Sequence, residues 1–415
     1  MRSLLARWWR VNGPLSPRVK AILILIGLLV LLVDATLLTK IVNHLFLSPS
    51  VSRVQIVSPS FDVLTLEGET VVVEVVATGR SMVRSELLVD GSPVDTVADT
   101  QGDGVGTWAI SHSWEAEGQG QHQLTVKVYD PSGNVLVSSS LAVGVVPPGR
   151  LAFASDRVEN YEIYTMRTDS AELDRLTRRL EADREPACDG SDSLAFASTA
   201  IGGGSDIWLM RGDSHELKNL TAALGGDRSP RWSPDGGTIA FASDRFGLSQ
   251  LFLMQADGSD QFQLTSEDVP VVQPHWAPDS SSLLFSAEQE GNWDIFSISL
   301  DEGIVTRITD DPSDDWYPAW SPRGDQIAFV SDRHGSQQIY IMEADGTGPR
   351  RLTDFPSGAE QPQWSPDGEW LVFVAYTGGG ERLKAREIYV MRPDGSDRMR
   401  VTDNEFDDTE PSWCE

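Results

Sequence analysis

The sequence predicts an all-β protein whose larger part, residues 150–415, is a six-bladed β-propeller, preceded by a β-sandwich over residues 51–146 and a single N-terminal transmembrane helix over residues 21–40. Three observations carry this. A segment of about 44 residues recurs six times from Leu151 onward, strand-like alternation fills the stretch before it, and an unbroken apolar run lies near the N-terminus. A fixed period of roughly 40–50 residues with four strands per unit is the signature of propeller blades.

The landmark of each repeat is a Pro-x-Trp step, at Pro230/Trp232, Pro274/Trp276, Pro318/Trp320, Pro362/Trp364 and Pro411/Trp413, with Pro186/Cys188 as its degenerate member. A turn follows, as in Ser233-Pro234-Asp235-Gly236 or Ser365-Pro366-Asp367-Gly368, and then an apolar run beginning at Leu151, Leu194, Ile239, Leu283, Ile327 or Leu371. Proline presets φ at the first corner and glycine accepts the positive φ after it, so these are hairpin connections. A second hairpin at Asp169, Asp213, Asp257, Asp301, Asp345 or Asp394 leads to a Leu/Ile/Val-Thr pair ending at Thr177, Thr221, Thr265, Thr309, Thr353 or Thr402. The first unit has no Pro-x-Trp strand before it and the last is followed by one, so pairing of Trp413's strand with Leu151-Ala152-Phe153 closes a ring without free edges.

The repeat Pro362-Gln363-Trp364-Ser365-Pro366-Asp367-Gly368, with Leu371-Val372-Phe373 and Ile388-Tyr389-Val390-Met391, resembles that of the TolB-like six-bladed propellers. So does Ile327-Ala328-Phe329-Val330-Ser331-Asp332-Arg333. The resemblance covers residues 150–415 and implies the fold; it leaves the activity open. The N-terminal α/β domain of the periplasmic TolB proteins has no counterpart, which removes the ground for a Tol-system role.

Residues 1–20 form a basic leader with Arg2, Arg7, Arg10, Arg18 and Lys20 ahead of the apolar run of residues 21–40, which reaches the ~20 residues that cross a bilayer. The basic bias keeps the N-terminus cytoplasmic and sends the bulk of the chain outward. Cleavage near Ala35 is the competing reading and makes the protein secreted or periplasmic.

Residues 51–146 alternate in the manner of short antiparallel strands: Val71 to Val76, Leu87-Leu88-Val89 before the Asp90-Gly91 turn, and Leu124, Val126 and Val128 on one face. The segment from Gly120 to Gly133 resembles the late strands of bacterial immunoglobulin-like modules, and seven or eight strands in this length suit such a sandwich. Pro147-Pro148-Gly149 is a stiff linker to the propeller.

The formal charge is −29; the first fifty residues hold six basic and one acidic residue, leaving −34 on the remainder. Such a surface repels nucleic-acid phosphates and excludes them as partners, while a divalent cation is compatible with it but has no ligand set of its own. Cys188 and Cys414 lie in or just after the Pro-x-Trp strand of adjacent blades, one position out of phase. Opposite strand faces, and so free buried thiols, are expected, with an export-compartment disulfide as the alternative.

Six scattered histidines, no His-Glu-x-x-His helix, no Gly-x-Ser-x-Gly elbow and no phosphate loop leave the chain without a catalytic set or an expected cofactor. The pairs Asp156/Arg157, Asp244/Arg245 and Asp332/Arg333 recur at one repeat position and are expected to brace a loop. With Pro-x-Trp as inner strand, the tight turns lie on one face and the Ser-Asp-Arg loops and blade crossings on the other. The residue before each proline, Glu185, Ser229, Gln273, Tyr317, Gln361 and Glu410, then rings the channel mouth, with an insertion near Gly378 to Arg386 in the last blade.

Variable loops on a rigid ring are where propellers bind. The expectation is a membrane-anchored, non-enzymatic extracytoplasmic binding or scaffold protein that engages a protein or peptide on an acidic loop face. Its candidate contacts are Glu185, Gln273, Asp314, Asp315, Trp316, Tyr317, Gln361 and Glu410. A hydrolase or lyase using mouth carboxylates and a glycan-binding propeller of the cell envelope are the alternatives.

Overall fold

The computed structural model describes residues 53–59, 63–80, 82–98, 105–199, 203–212, 216–222, 225–266, 268–377 and 385–414. The leader and apolar segment of residues 1–40, and most of the last-blade insertion, lie outside these residues. No helix among the described residues is long and apolar enough to cross a membrane. Every regular element among them is a strand.

Six sheets of four antiparallel strands follow one another from Arg150 to Trp413. Five blades are each built from consecutive strands. The remaining one joins Arg150–Ser155, Glu162–Arg167 and Asp174–Arg175 to the last strand, Asp408–Trp413, so the ring closes as expected. The closing register sets Leu151 opposite Trp413 and Ser155 opposite Asp408.

Repetition of sequence becomes repetition of packing. Phe153, Phe196, Phe241, Phe285, Phe329 and Phe373 occupy the same place in the second strand of each blade, and all are fully buried. Burial of that many aromatic rings is the main apolar stabilisation of the blades. The conserved-in-register threonines do a second job: the Oγ1 of Thr177, Thr221, Thr265, Thr309, Thr353 and Thr402 each accepts the backbone N–H of the third strand at 2.9–3.0 Å. Each hydroxyl thereby satisfies a buried amide at the place where the fourth strand peels away.

Among the described residues nine strands precede the propeller. Arg53–Ser58, Thr70–Arg80 and Val105–Glu115 form a three-stranded sheet, and the other six, ending at Leu141–Val146, form a second one. The chain divides into two compact units: the first contains residues 72–112 and 125–140, and the second contains residues 61–71, 113–124 and 141–415. In the first, Leu87, Val126 and Val128 are fully buried, and His112 is held by Ser85 Oγ at 2.8 Å and Asp95 at 3.1 Å. The Asp90-Gly91 turn has positive φ at both corners, as a two-residue hairpin requires. In the second, Leu64, Leu66 and Val146 join the apolar core beneath Trp413 and Met399.

The expectation of free thiols is overturned. Cys188 and Cys414 form a disulfide, with Cα atoms 4.9 Å apart. Alternation misled here because the closing strand ends at Trp413, so Cys414 is no longer bound by strand parity. Its N–H donates to the Arg150 carbonyl at 2.8 Å, which turns the side chain toward blade two.

Candidate functional site

Proline has no N–H to give the ladder, so each inner strand must bulge where the Pro-x-Trp step begins. The register of the inner pair shifts between Arg184 and Ala187, Arg228 and Arg231, Val272 and His275, Trp316 and Ala319, and Glu360 and Gln363. The residue before each proline takes up the shift in the left-handed region, at φ between 50° and 59° for Glu185, Ser229, Gln273, Tyr317, Gln361 and Glu410. All six stand together at one end of the channel, around a cavity of about 30 Å³.

Side chains of this ring staple four of the six blade junctions. Glu410 Oε2 accepts the Glu185 N–H at 2.8 Å, Glu185 Oε2 accepts that of Ser229 at 2.6 Å, Gln273 Oε1 that of Tyr317 at 3.0 Å, and Gln361 Oε1 that of Glu410 at 2.8 Å. Such bonds compensate the backbone strain of the left-handed positions, which is of order 1–2 kcal/mol each. Burial, and next the Glu185 charge, hold the Glu410 carboxyl above the usual carboxylate range. Burial likewise pushes the Tyr317 phenol up to about 12.

Outside the ring lies a cleft of about 390 Å³. The face was expected to be acidic; the cleft is instead walled by both signs, with Arg184, Arg228 and Arg386 beside Glu360 and Glu410. Arg184 meets Glu410 at 2.9 Å and Arg386 meets Glu360 at 3.7 Å, while Arg228 turns to Asp244 at 3.0 Å. Arg184 also lies 4.2 Å from the centre of the Tyr161 ring, a cation–π contact.

Of the expected contacts, Glu185, Gln361, Glu410 and Tyr317 line this cleft, and Gln273 lines the inner ring. Asp315 does not: its side chain is fully buried and bound by Arg333 at 3.0 Å through both oxygens. Asp314 is spent on the chain itself, accepting the Trp293 N–H at 2.8 Å, and Trp316 packs against the apolar core. The inner strand starts two residues before the mouth, so its first aspartate points into the blade.

Asp315 belongs to a recurrent clasp. In three blades an arginine of the Ser-Asp-Arg loop binds the first aspartate of the inner strand: Arg157 to Asp408 at 2.7 Å, Arg245 to Asp227 at 2.9 Å and Arg333 to Asp315. The loop aspartate completes it by accepting a crossing amide, as Asp156 does from Asp407, Asp244 from Gly226 and Asp332 from Asp314. The bracing role expected of these pairs is thus realised. Blade two keeps the aspartate, Asp183, but its loop reads Ser198-Thr199-Ala200. Neither Asp183 oxygen has a hydrogen-bond partner, and burial raises the carboxyl to about 6.

The match to known proteins decides the type of ring. The family profile described as TolB beta propeller domain matches residues 188–275 and 268–385. Over these residues the ring is TolB-like. Among solved structures, TolB from Acinetobacter baumannii is similar at 20% identity, with a TM-score of 0.55 over 72% of this chain and 81% of that one. A protein described as putative TolB from Agrobacterium tumefaciens is similar at 21% identity, TM-score 0.52, over 64% of this chain and 98% of that one. A chain of a nidogen/laminin complex shares the fold at 12% identity, TM-score 0.53, over 64% and 98%. None of the curated proteins matches the sequence.

In this TolB-like propeller the sequence reading missed Arg184, Arg228 and Arg386, and also the channel lining. The residue inside each Pro-x-Trp step faces the channel, which brings Arg231, His275 and Gln363 to its walls. Strand alternation held that signal: if the residue before proline rims the channel and the tryptophan packs outward, the residue between them must point in.

Proposed function

We propose that this protein is a non-enzymatic extracytoplasmic binding protein whose TolB-like propeller engages a protein or peptide at the loop-face cleft. The observation that carries the reading is the cleft itself: open, rigidly based on stapled blades, and lined by arginines and glutamates that can pair with side chains of either sign. The disulfide between Cys188 and Cys414 supports residence in an oxidising compartment. In this proposal residues 21–40 anchor the chain with its N-terminus in the cytoplasm, and residues 51–146 are an immunoglobulin-like spacer.

The mouth carboxylates speak for binding rather than hydrolysis. Glu410 is committed to Arg184 and the Glu185 N–H, and Glu185 to the Ser229 N–H and hydroxyl. A general acid or nucleophile needs an oxygen free to meet substrate. Among the described residues no cluster of three metal-ligating side chains occurs either.

Pull-down from envelope extracts tests the proposal, comparing wild type with the triple variant Arg184→Ala, Glu360→Ala, Arg386→Ala. Loss of a specific partner from the variant, with the melting temperature kept, is expected. Equal recovery of every partner would sink the cleft assignment.

A further inference from the structure

At the end of the channel opposite the mouth, the inner strands open into a funnel of about 520 Å³. That is the size of sites that take small organic ligands. Its wall is a ring of indoles, Trp232, Trp276, Trp320, Trp364 and Trp413. Each is seated in a blade core and shows the funnel only part of its surface.

The polar lining of the funnel combines the hydroxyls of Ser233, Ser321, Ser365 and Ser412 and the Gln363 amide with the indole and guanidinium donors. Trp232, Trp276 and Trp364 give their indole N–H to the carbonyls of Ala187, Arg231 and Ala319 at 3.0–3.1 Å, whereas those of Trp320 and Trp413 are buried without an acceptor. Arg231 lines the funnel and forms no ion pair among the described residues; it donates to the Pro230 carbonyl at 3.0 Å. His275 Nδ1 lies 3.2 Å from both the Trp320 backbone N–H and the Trp276 carbonyl, so the ring is held by the blades themselves. The one carboxylate among the lining residues, Asp189, is already bound by the Ser191 and Ser193 amides and the Ser191 hydroxyl. Glu185 and Glu410 share the channel cavity with Arg231 and attract its charge, but their hydrogen-bonding oxygens are taken by the Ser229 and Glu185 amides.

A buried guanidinium without a direct ion pair, beside aromatic walls, calls for an anion with an apolar body. We propose that the funnel binds a carboxylate carried on a ring-bearing or apolar group, with the carboxylate on Arg231 and the body against the tryptophans. This site is separate from the loop-face cleft and from the partner proposed for it. The same chemistry is offered by a free organic acid and by the C-terminus of a peptide.

Calorimetry, together with the change in tryptophan fluorescence, tests this with four probes on the intact protein: 3-phenylpropionate, its amide, the tripeptide Gly-Gly-Phe and its C-terminal amide. At least one acid should bind about tenfold or more tightly than its amide, the discrimination of a charge-assisted bond. Tighter binding of the tripeptide assigns the site to a peptide terminus, and tighter binding of phenylpropionate to a small acid. Arg231→Met should abolish the acid preference while the amides bind as before. Failure of both acids to bind at millimolar concentration, or equal binding of acid and amide by the wild type, overturns the proposal whether or not the variant folds.

Discussion

Arg157 and Asp408 meet across almost the whole propeller sequence: one guanidinium nitrogen, Nη2, lies 2.7 Å and 2.9 Å from the two carboxylate oxygens. The carboxylate is fully buried and the arginine nearly so, and the pair ties the first loop of the ring to its last strand. Removing the arginine strands a buried charge, which typically costs about 3–5 kcal/mol. Arg157→Ala should therefore lower the unfolding free energy, read from denaturant titration, by that amount. A loss under about 1 kcal/mol would mean the clasp does not hold the ring.

Asp183 shows the same position without its arginine. Its folded pKa of about 6 lies above the ordinary 3.8, so the stability it contributes is complete below pH 4 and is lost as the pH rises through 6. The loss is on the order of 2–3 kcal/mol. Relative to wild type, Asp183→Asn should gain stability between pH 4 and 7. Parallel melting curves for the two proteins across that range would remove the assignment.

His275 has the opposite sign. Burial, and then the neighbouring Arg231 charge, depress it from 6.5 to about 4. Its contribution is complete above pH 6.5 and is lost as the pH falls through 4. His275→Gln should accordingly resist acid better than wild type, with the gap opening below pH 6. An NMR titration that placed the ring's midpoint near 6.5 would contradict this.

The disulfide closes the ring covalently as well, across 226 positions. Losing such a bridge commonly costs about 2–5 kcal/mol. Cys414→Ser, or reduction of the wild type, should lower the melting temperature and make blade one the first region to exchange its amide hydrogens. Unchanged exchange in Leu151 to Ser155 after reduction would show that strand pairing alone keeps the ring shut.

Blade number and the bracing Asp-Arg pairs were legible in the sequence because each rests on repetition, and closure because the first unit lacks the Pro-x-Trp strand that follows the last. What could not be read was reach. Arg184 and Arg386 come to the cleft from different strands, and Asp315 faces inward while Tyr317, two positions on, reaches the mouth. The bulge at Pro318 breaks the simple alternation there, and the proline that marks it does not say which side chains it turns to the mouth. Cys414 escaped for a related reason, since one residue beyond a strand's end obeys no parity.

The left-handed ring at the mouth has an evolutionary consequence. Backbones at φ near 55° accept glycine, asparagine, aspartate and other side chains unbranched at Cβ, and penalise valine, isoleucine and threonine sharply. A lineage carrying this ring can exchange charge, amide, hydroxyl and aromatic groups at Glu185, Gln273 or Tyr317 by single mutations, yet the β-branched residues that dominate ordinary strands are closed to it. The conformation of the rim thus filters which mutations selection can sample, and at Glu185 and Gln273 any exchange must also replace a bond between blades.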